Sequence, residues 1–194
     1  MVEDTITDIY ELKRECREVL QIDVENGFFI AQIGNDNVVM ECPKAGYGTV
    51  KNIKNHIKIS VDRCKSILNL FYNSEYLYLN LDNSKGEIKN IDVDYLYVEL
   101  RNSTISFDNT FIKNLDVNSL NSVINGNVNL AINSDIFFKL ENSKLNLKIN
   151  SDKHIGFIVR LYGNPEYYAI ASRKAENNVV IRIESDDKSR IEVT

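Results

Sequence analysis

The sequence is short of the residues that mark several common protein classes. Its 194 residues include no tryptophan, two prolines and eight glycines, which excludes a collagen-like or linker-rich organisation. The two histidines and three cysteines show none of the spacings of common metal sites, so no metal and no cofactor is expected. No apolar run approaches the roughly 18 residues that a membrane-spanning helix needs.

Acidic residues outnumber basic ones, 28 to 23, and the formal net charge is −5. The overall basic footprint of a nucleic-acid-binding protein is missing, so no nucleic-acid partner is expected. The cysteines, Cys16, Cys42 and Cys64, are odd in number, which favours reduced thiols over a disulfide framework. Together with an acidic, polar start, this predicts a cytoplasmic location, and the cell surface is the alternative if a signal has been removed.

The sequence does contain a repeat. Residues 76–84 read Tyr-Leu-Tyr-Leu-Asn-Leu-Asp-Asn-Ser and residues 95–103 read Tyr-Leu-Tyr-Val-Glu-Leu-Arg-Asn-Ser, with weaker copies at 115–122 and 136–143. The four Asn-Ser pairs begin at positions 83, 102, 121 and 142. Self-similarity at a period of about 20 residues predicts stacked supersecondary units that share one continuous core.

Each copy alternates apolar and polar residues, which is the pattern of a half-buried strand. A second short apolar stretch follows each Asn-Ser pair, so we expect two strands per repeat and Asn-rich corners between them. The predicted fold is mainly β, a parallel β-solenoid-like array with about 20 residues per coil, and the alternative is an antiparallel β-sandwich or meander. The residues expected to point inward are Leu77, Leu79, Leu81, Leu96, Val98, Leu100, Ile136, Phe138 and Leu140.

The chain is predicted to divide near residue 72. Residues 1–71 would form an N-terminal helix and a β segment, and residues 72–194 the repeat array. The stretch from Thr5 to Leu20 has apolar residues at helical spacing, so it is predicted to be an amphipathic helix. The ends of a stacked array expose unpaired backbone, and this helix is the candidate cap for one end.

The alternation around Leu-x-Asn-Ser, repeated at about 20 residues, resembles the putative-adhesin-type β-solenoid domains of unknown function found widely in prokaryotes. The resemblance covers about residues 76–150. It implies a β-solenoid fold and brings no catalytic residue to this chain.

The candidate binding site is a set of outward-facing aromatic residues. Exposed aromatic rings offer a flat, amphipathic surface to a sugar ring or to a protein partner, although packing between neighbouring strands would also place them there. The function that this surface favours is a non-enzymatic interaction or scaffolding protein. The candidate residues are Tyr76, Tyr78, Tyr95, Tyr97 and Phe137.

Two alternative functions remain open. Glu75, Asp94 and Asp135 each precede a repeat strand, and carboxylates stacked along one edge would suit a carbohydrate-active β-helix enzyme. The same residues would also serve as corner residues that bond the local backbone. The other alternative is a self-assembling structural protein that forms homo-oligomers through the ends of the array.

Overall fold

The computed structural model describes residues 5–12, 19–53, 55–70 and 74–194, and these residues form strands and no helix. The prediction of a mainly β protein is confirmed. None of the described residues belongs to a helix with the length and apolar character needed to cross a membrane. The strands are β1 (Thr5–Glu11), β2 (Val19–Glu25), β3 (Phe28–Ile33), β4 (Asn37–Pro43), β5 (Tyr47–Ile53), β6 (His56–Asp62), β7 (Lys65–Leu70), β8 (Ser74–Asp82), β9 (Lys85–Lys89), β10 (Asp92–Arg101), β11 (Thr104–Leu120), β12 (Val123–Asn129), β13 (Asp135–Glu141), β14 (Lys144–Asn150), β15 (Ile155–Gly163), β16 (Tyr167–Ile170), β17 (Asn177–Ser185) and β18 (Arg190–Val193).

Most strands pair in parallel, in two series that we call the first and second layers. The first layer runs in the order β6, β2, β8, β10, the second half of β11, β13, β17 and β15. The second layer runs in the order β7, β3, β9, the first half of β11, β12, β14, β18 and β16. Because the chain turns from one layer into the other at each corner, the inward faces of both layers share one hydrophobic cluster.

Strand orientation is mixed, because antiparallel strands cover the N-terminal end of both layers. Strand β5 lies antiparallel to β6, β4 lies antiparallel to β7, and β1 lies antiparallel to β4. The sheet as a whole is therefore not the uniformly parallel array that the repeat predicts. The repeats themselves pair in parallel, so neighbouring copies do not form the hairpins of a meander.

The predicted N-terminal helix is wrong. Residues Thr5–Glu11 form β1, and Val19 and Leu20 begin β2, while residues 13–18, which include Cys16, lie outside the described part of the chain. The exposed edge of β4 offers a row of backbone partners that β1 takes up from Thr5 to Glu11. This long-range pairing overrides the local apolar spacing that suggested a helix.

The alternation of the repeat copies sets the core. All nine residues predicted to point inward are buried, and the most exposed of them, Leu100, is 4% exposed. Side chains alternate between the two faces of a strand, so the residues between them point outward.

The corners between the layers explain the Asn-Ser pairs. Asn83, Asn102, Asn121 and Asn142 have φ between 47° and 51°, the left-handed region that Asn tolerates better than most residues. The serine that follows each of them is buried. The backbone N–H groups of Ser84, Ser103, Ser122 and Ser143 each donate to the Oγ of a serine one repeat later, at 3.0–3.2 Å, and the last acceptor is Ser189. We call this set, Ser84, Ser103, Ser122, Ser143 and Ser189, the serine ladder.

A disulfide bond joins Cys42 and Cys64, so the prediction of reduced thiols is wrong for this pair. The antiparallel pairing of β4 with β7 places Glu41 opposite Lys65. Cys42 and Cys64 are the next residues beyond this pair, and their Cα atoms are 4.4 Å apart. A separation of 22 residues in the sequence does not predict this disulfide, because the contact depends on the antiparallel pairing of β4 with β7.

The serine ladder yields a stability prediction for Ser103→Ala. The Ser103 hydroxyl shares its one proton between the carbonyl oxygens of Arg101 and Leu81, at 2.7 and 3.0 Å, and its Oγ accepts from the Ser84 N–H at 3.0 Å. Alanine leaves that buried N–H without a partner, so we expect the free energy of unfolding to fall by about 1–3 kcal/mol. Urea denaturation measures the change. The control is Ser106→Ala, a half-buried serine on an outward face, and equal losses in both variants would contradict the role of the ladder.

Candidate functional site

Four of the predicted aromatic residues lie together on the outer face of the first layer. Tyr76 is opposite Tyr95, and Tyr78 is opposite Tyr97, on β8 and β10. The ring centroids are 6.1 Å apart for Tyr76 and Tyr95, 6.1 Å for Tyr78 and Tyr95, and 5.8 Å for Tyr78 and Tyr97. These distances are typical of interacting aromatic pairs. Tyr76 is 43% exposed and the other three are partly buried, so the rings form one accessible patch, the tyrosine cluster.

The fifth predicted residue, Phe137, lies apart from the cluster. It occupies the same cross-strand column as Tyr78 and Tyr97, but Asp116 on β11 stands between Tyr97 and Phe137. The Arg182 guanidinium lies over the Phe137 ring, 5.7 Å from its centroid. The ring therefore already has a cationic partner on one face.

The predicted stack of carboxylates is wrong. Asp135 pairs with Asn114, and Asn114 pairs with Tyr95, so Asp135 belongs to the column of Tyr76 and Tyr95. Asp94 is exposed and lies one residue before Tyr95, outside this column, and the side chain of Glu75 lies outside the described part of the chain. The prediction matches Asp135 with Asp94, whereas the strand pairing matches it with Tyr95, one residue later.

A groove that the sequence did not predict lies beside the tyrosine cluster. It has a volume of about 730 Å³ and runs across the strands of the first layer. It lies over the column of outward-facing residues that come two positions after Tyr78 and Tyr97 on their strands. The Tyr97 hydroxyl donates to Glu99 Oε1 at 2.7 Å and accepts from Asn118 Nδ2 at 3.0 Å, which joins the cluster to the groove. The column in the groove consists of Asp23, Ser60, Asn80, Glu99, Asn118 and Lys139.

Asp23 is the best-bonded carboxylate of the groove. Lys58 Nζ is 2.7 Å from its Oδ2, and Asn80 Nδ2 and Gln21 Nε2 donate to its Oδ1 at 2.6 and 3.1 Å. Burial opposes ionisation of Asp23, but the hydrogen bonds from Lys58, Gln21 and Asn80 outweigh it and lower the pKa. This end of the groove therefore holds a fixed negative charge that is already compensated.

A second, smaller hollow lies on the same face over β10, β11, β13 and β17. Its volume is about 360 Å³. Within it, Arg182 Nη2 is bonded to both oxygens of Asp135, at 2.7 and 3.0 Å. The lining residues are Tyr95, Asn114, Leu115, Asp116, Asp135, Phe137, Arg182 and Glu184.

Asp116 in this hollow is electrostatically unlike Asp23. Burial raises its pKa, the nearby Asp135 raises it further, and Arg182 acts in the opposite direction. Its Oδ1 is shielded from solvent and has no hydrogen-bond partner among the described residues. Burial likewise raises the pKa of Tyr95 and Tyr97, with Asp116 contributing to both.

No group of three or more His, Cys, Asp or Glu side chains within the described residues is arranged to hold a metal ion.

Comparison with known proteins gives a likeness to solved structures. No family model and no curated protein matches the chain. A putative cell adhesion protein from Clostridium sporogenes is 12% identical, with a TM-score of 0.43, over 98% of this chain and 99% of the other. Putative adhesins from Parabacteroides distasonis and Parabacteroides merdae are 11% and 9% identical, with TM-scores of 0.40 and 0.42. The alignments cover 98% of both chains for the former, and 100% of this chain and 97% of the other for the latter.

These structures carry the same description as the domains that the repeat resembles. At such identities and scores, the likeness does not by itself assign a fold or a function to this chain.

The network around Asp23 predicts a pH-dependent contribution to stability. A pKa lowered by folding stabilises the protein above the pKa of the unfolded chain, and this stabilisation is lost as the pH falls through the folded value. We therefore expect Asp23→Asn to lower the free energy of unfolding at neutral pH by about 1 kcal/mol. Urea denaturation at a series of pH values should show the gap to the wild type closing under acid conditions. A gap that is the same at every pH would contradict the assignment.

Proposed function

We propose that this chain is a non-enzymatic interaction protein that binds a protein or glycan partner through the outer face of its first layer. The observation that carries the proposal is the tyrosine cluster, four rings joined by three ring contacts on the outer face of the sheet. Tyrosines combine a large apolar area with a polar tip, and they are enriched where partners bind. The adjoining groove adds amide, carboxylate and ammonium groups that fix the orientation of a partner.

We also propose that the repeats form a β-solenoid-type scaffold for this face. Support comes from the parallel, in-register pairing of β8, β10, β11 and β13, which sets equivalent residues of successive repeats side by side. Neighbouring parallel strands lie about 4.8 Å apart, so such a scaffold presents outward side chains at a regular interval along the stack.

We further propose that the protein is located outside the cytoplasm, at the cell surface. Its support is the disulfide between Cys42 and Cys64, because disulfides persist in oxidising compartments and are rare where thiols are kept reduced. An interaction protein exposed to an oxidising medium gains from such a bond, which restricts the unfolded chain.

The test is a double substitution, Tyr78→Ser with Tyr97→Ser, on the full chain. Wild-type protein, labelled and applied to arrays of purified glycans and of extracellular proteins, should bind a reproducible subset, and the double variant should lose that binding. The loss is expected because two of the four rings of the cluster are removed, and a few large aromatic residues carry most of the binding energy of an interface.

The matched control is Tyr167→Ser with Tyr168→Ser, which removes two tyrosines that are 47% and 61% exposed on β16. Circular dichroism and thermal unfolding of each variant establish that it is folded. Binding that survives in the Tyr78 and Tyr97 variant, or that is lost equally in the control, would overturn the proposal.

Self-association is a second candidate function, favoured by the C-terminal end of the layers. Strand β16 pairs with β18, and β15 pairs with β17. Apart from one bridge between Phe157 and Arg173, no other described strand pairs with β15 or β16. Unpaired edge strands are templates for pairing with another chain. Tyr162, 50% exposed, adds apolar surface to this end, as do Tyr167 and Tyr168.

If this edge joins copies of the chain, the mass measured by light scattering after size exclusion should rise with concentration. Tyr162→Lys with Tyr168→Lys should hold the protein as a monomer, because charged residues on an edge strand oppose pairing. The control is Ile132→Lys, which adds a charge at a position that is 52% exposed and outside the strands. A wild-type protein that stays monomeric throughout would exclude this candidate.

A further inference from the structure

The 360 Å³ hollow contains a carboxylate, that of Asp116, with one oxygen that has no hydrogen-bond partner among the described residues. This oxygen, Oδ1, is also shielded from water. Most buried polar groups in proteins are paired, and an unpaired one calls for an explanation. Asp116 lies on β11 between Tyr97 and Phe137, and it lines the hollow together with Tyr95.

Arg182, the one cation among the described residues that line the hollow, is paired with a carboxylate other than Asp116. Arg182 is bonded to both oxygens of Asp135 and lies over the Phe137 ring. Asp116 pairs with Phe137, and Phe137 with Arg182, so two strand spacings of about 4.8 Å each separate the backbones of Asp116 and Arg182. The lining thus carries three carboxylates, from Asp116, Asp135 and Glu184, against one guanidinium.

We propose that this hollow binds a primary ammonium group, of the kind that a lysine side chain of a protein partner presents. The proposal rests on the proposed function, since it makes the hollow part of the same interaction face and names a chemical group that the face recognises. The ammonium group would lie near the Asp116 carboxylate, with the Tyr95 ring as a wall of the site. Carboxylates and aromatic faces are the two surroundings that stabilise a desolvated ammonium ion.

A cation suits this hollow better than a sugar hydroxyl. A hydroxyl stabilises a carboxylate only by direct contact with an oxygen, and the shielding of Oδ1 leaves it at most one oxygen to contact. A positive charge acts on the whole carboxylate through space, and it does so more strongly in a partly desolvated site. The raised pKa of Asp116 agrees with this, because burial without a donor disfavours its charged form and a bound cation would restore it.

The experiment is a titration of the full chain with methylammonium and with Nα-acetyl-lysine amide, followed by backbone amide chemical shifts in NMR spectra. We expect saturable shifts at Leu115, Asp116 and Val117 at neutral pH. The affinity should fall as the pH is lowered through the Asp116 pKa, since the protonated acid no longer attracts a cation. For an Asp with a raised pKa, this fall begins at a higher pH than for an ordinary aspartate.

The decisive variant is Asp116→Asn, which keeps the shape and removes the charge. It should weaken ammonium binding by about tenfold or more, the usual effect of losing a charge-assisted contact. It should also be at least as stable as the wild type at pH 7, because the charge that it removes is one that burial disfavours. The control, Asp108→Asn, removes an exposed carboxylate at the far end of β11's first half and should leave the affinity unchanged.

Three results would overturn the proposal: no saturable shift with either amine, equal binding by Asp116→Asn and wild type, or saturation by methyl glucoside in place of the amines. The last result would make the hollow a saccharide site. The double variant Tyr78→Ser with Tyr97→Ser distinguishes failure of the ammonium site from failure of the proposed interaction face. If the amines do not bind but Tyr78→Ser with Tyr97→Ser still abolishes partner binding, the ammonium site fails and the interaction face stands.

Discussion

The corner between the two layers is the constraint on which the rest of the structure depends. At each repeat an asparagine takes a left-handed conformation, and the next serine buries its hydroxyl against the backbone of a neighbouring repeat. The hydrogen bond from the Ser84 N–H to Ser103 Oγ, and its counterparts further along, fix one repeat on the next without a slip. A fixed register has a direct consequence for the surface, because equivalent outward residues must then lie side by side. The tyrosine cluster is one product of that rule.

The features that the sequence predicted correctly are those set by local chemistry. Alternation along a strand placed the nine inward residues of three repeats in the core, and the preference of asparagine for left-handed backbone located the corners. The features that it missed depend on long-range pairing. The apolar spacing of Ile6 and Ile9 suggested a helix, yet β1 is held as a strand by β4. The disulfide between Cys42 and Cys64 depends on the antiparallel pairing of β4 with β7, which no local sequence pattern predicts.

The candidate site divides in the same way. Near-identity of two repeats was enough to place Tyr76 beside Tyr95 and Tyr78 beside Tyr97. The later repeats have diverged, and there the register had to be known to within one residue. Pairing Asn114 with Tyr95 sends Asp135 into the tyrosine column and removes the predicted carboxylate stack. The sequence predicts neither the groove nor the hollow, because both are built from side chains of several strands that are far apart in the sequence.

Divergence along the stack gives the outer face two chemically different halves. Over β8 and β10 it presents four tyrosine rings, and over β11, β13 and β17 it presents carboxylates with one fixed guanidinium. Tyr97 and Asp116 are neighbours across one strand spacing, about 4.8 Å, at the border between these halves. A partner that contacts both halves must therefore combine apolar or flat surface with a positive charge a few ångströms away. This requirement is stricter than the one that an aromatic patch alone imposes. In-register stacking of the strands also fixes the distance between the tyrosine cluster and the Asp116 carboxylate.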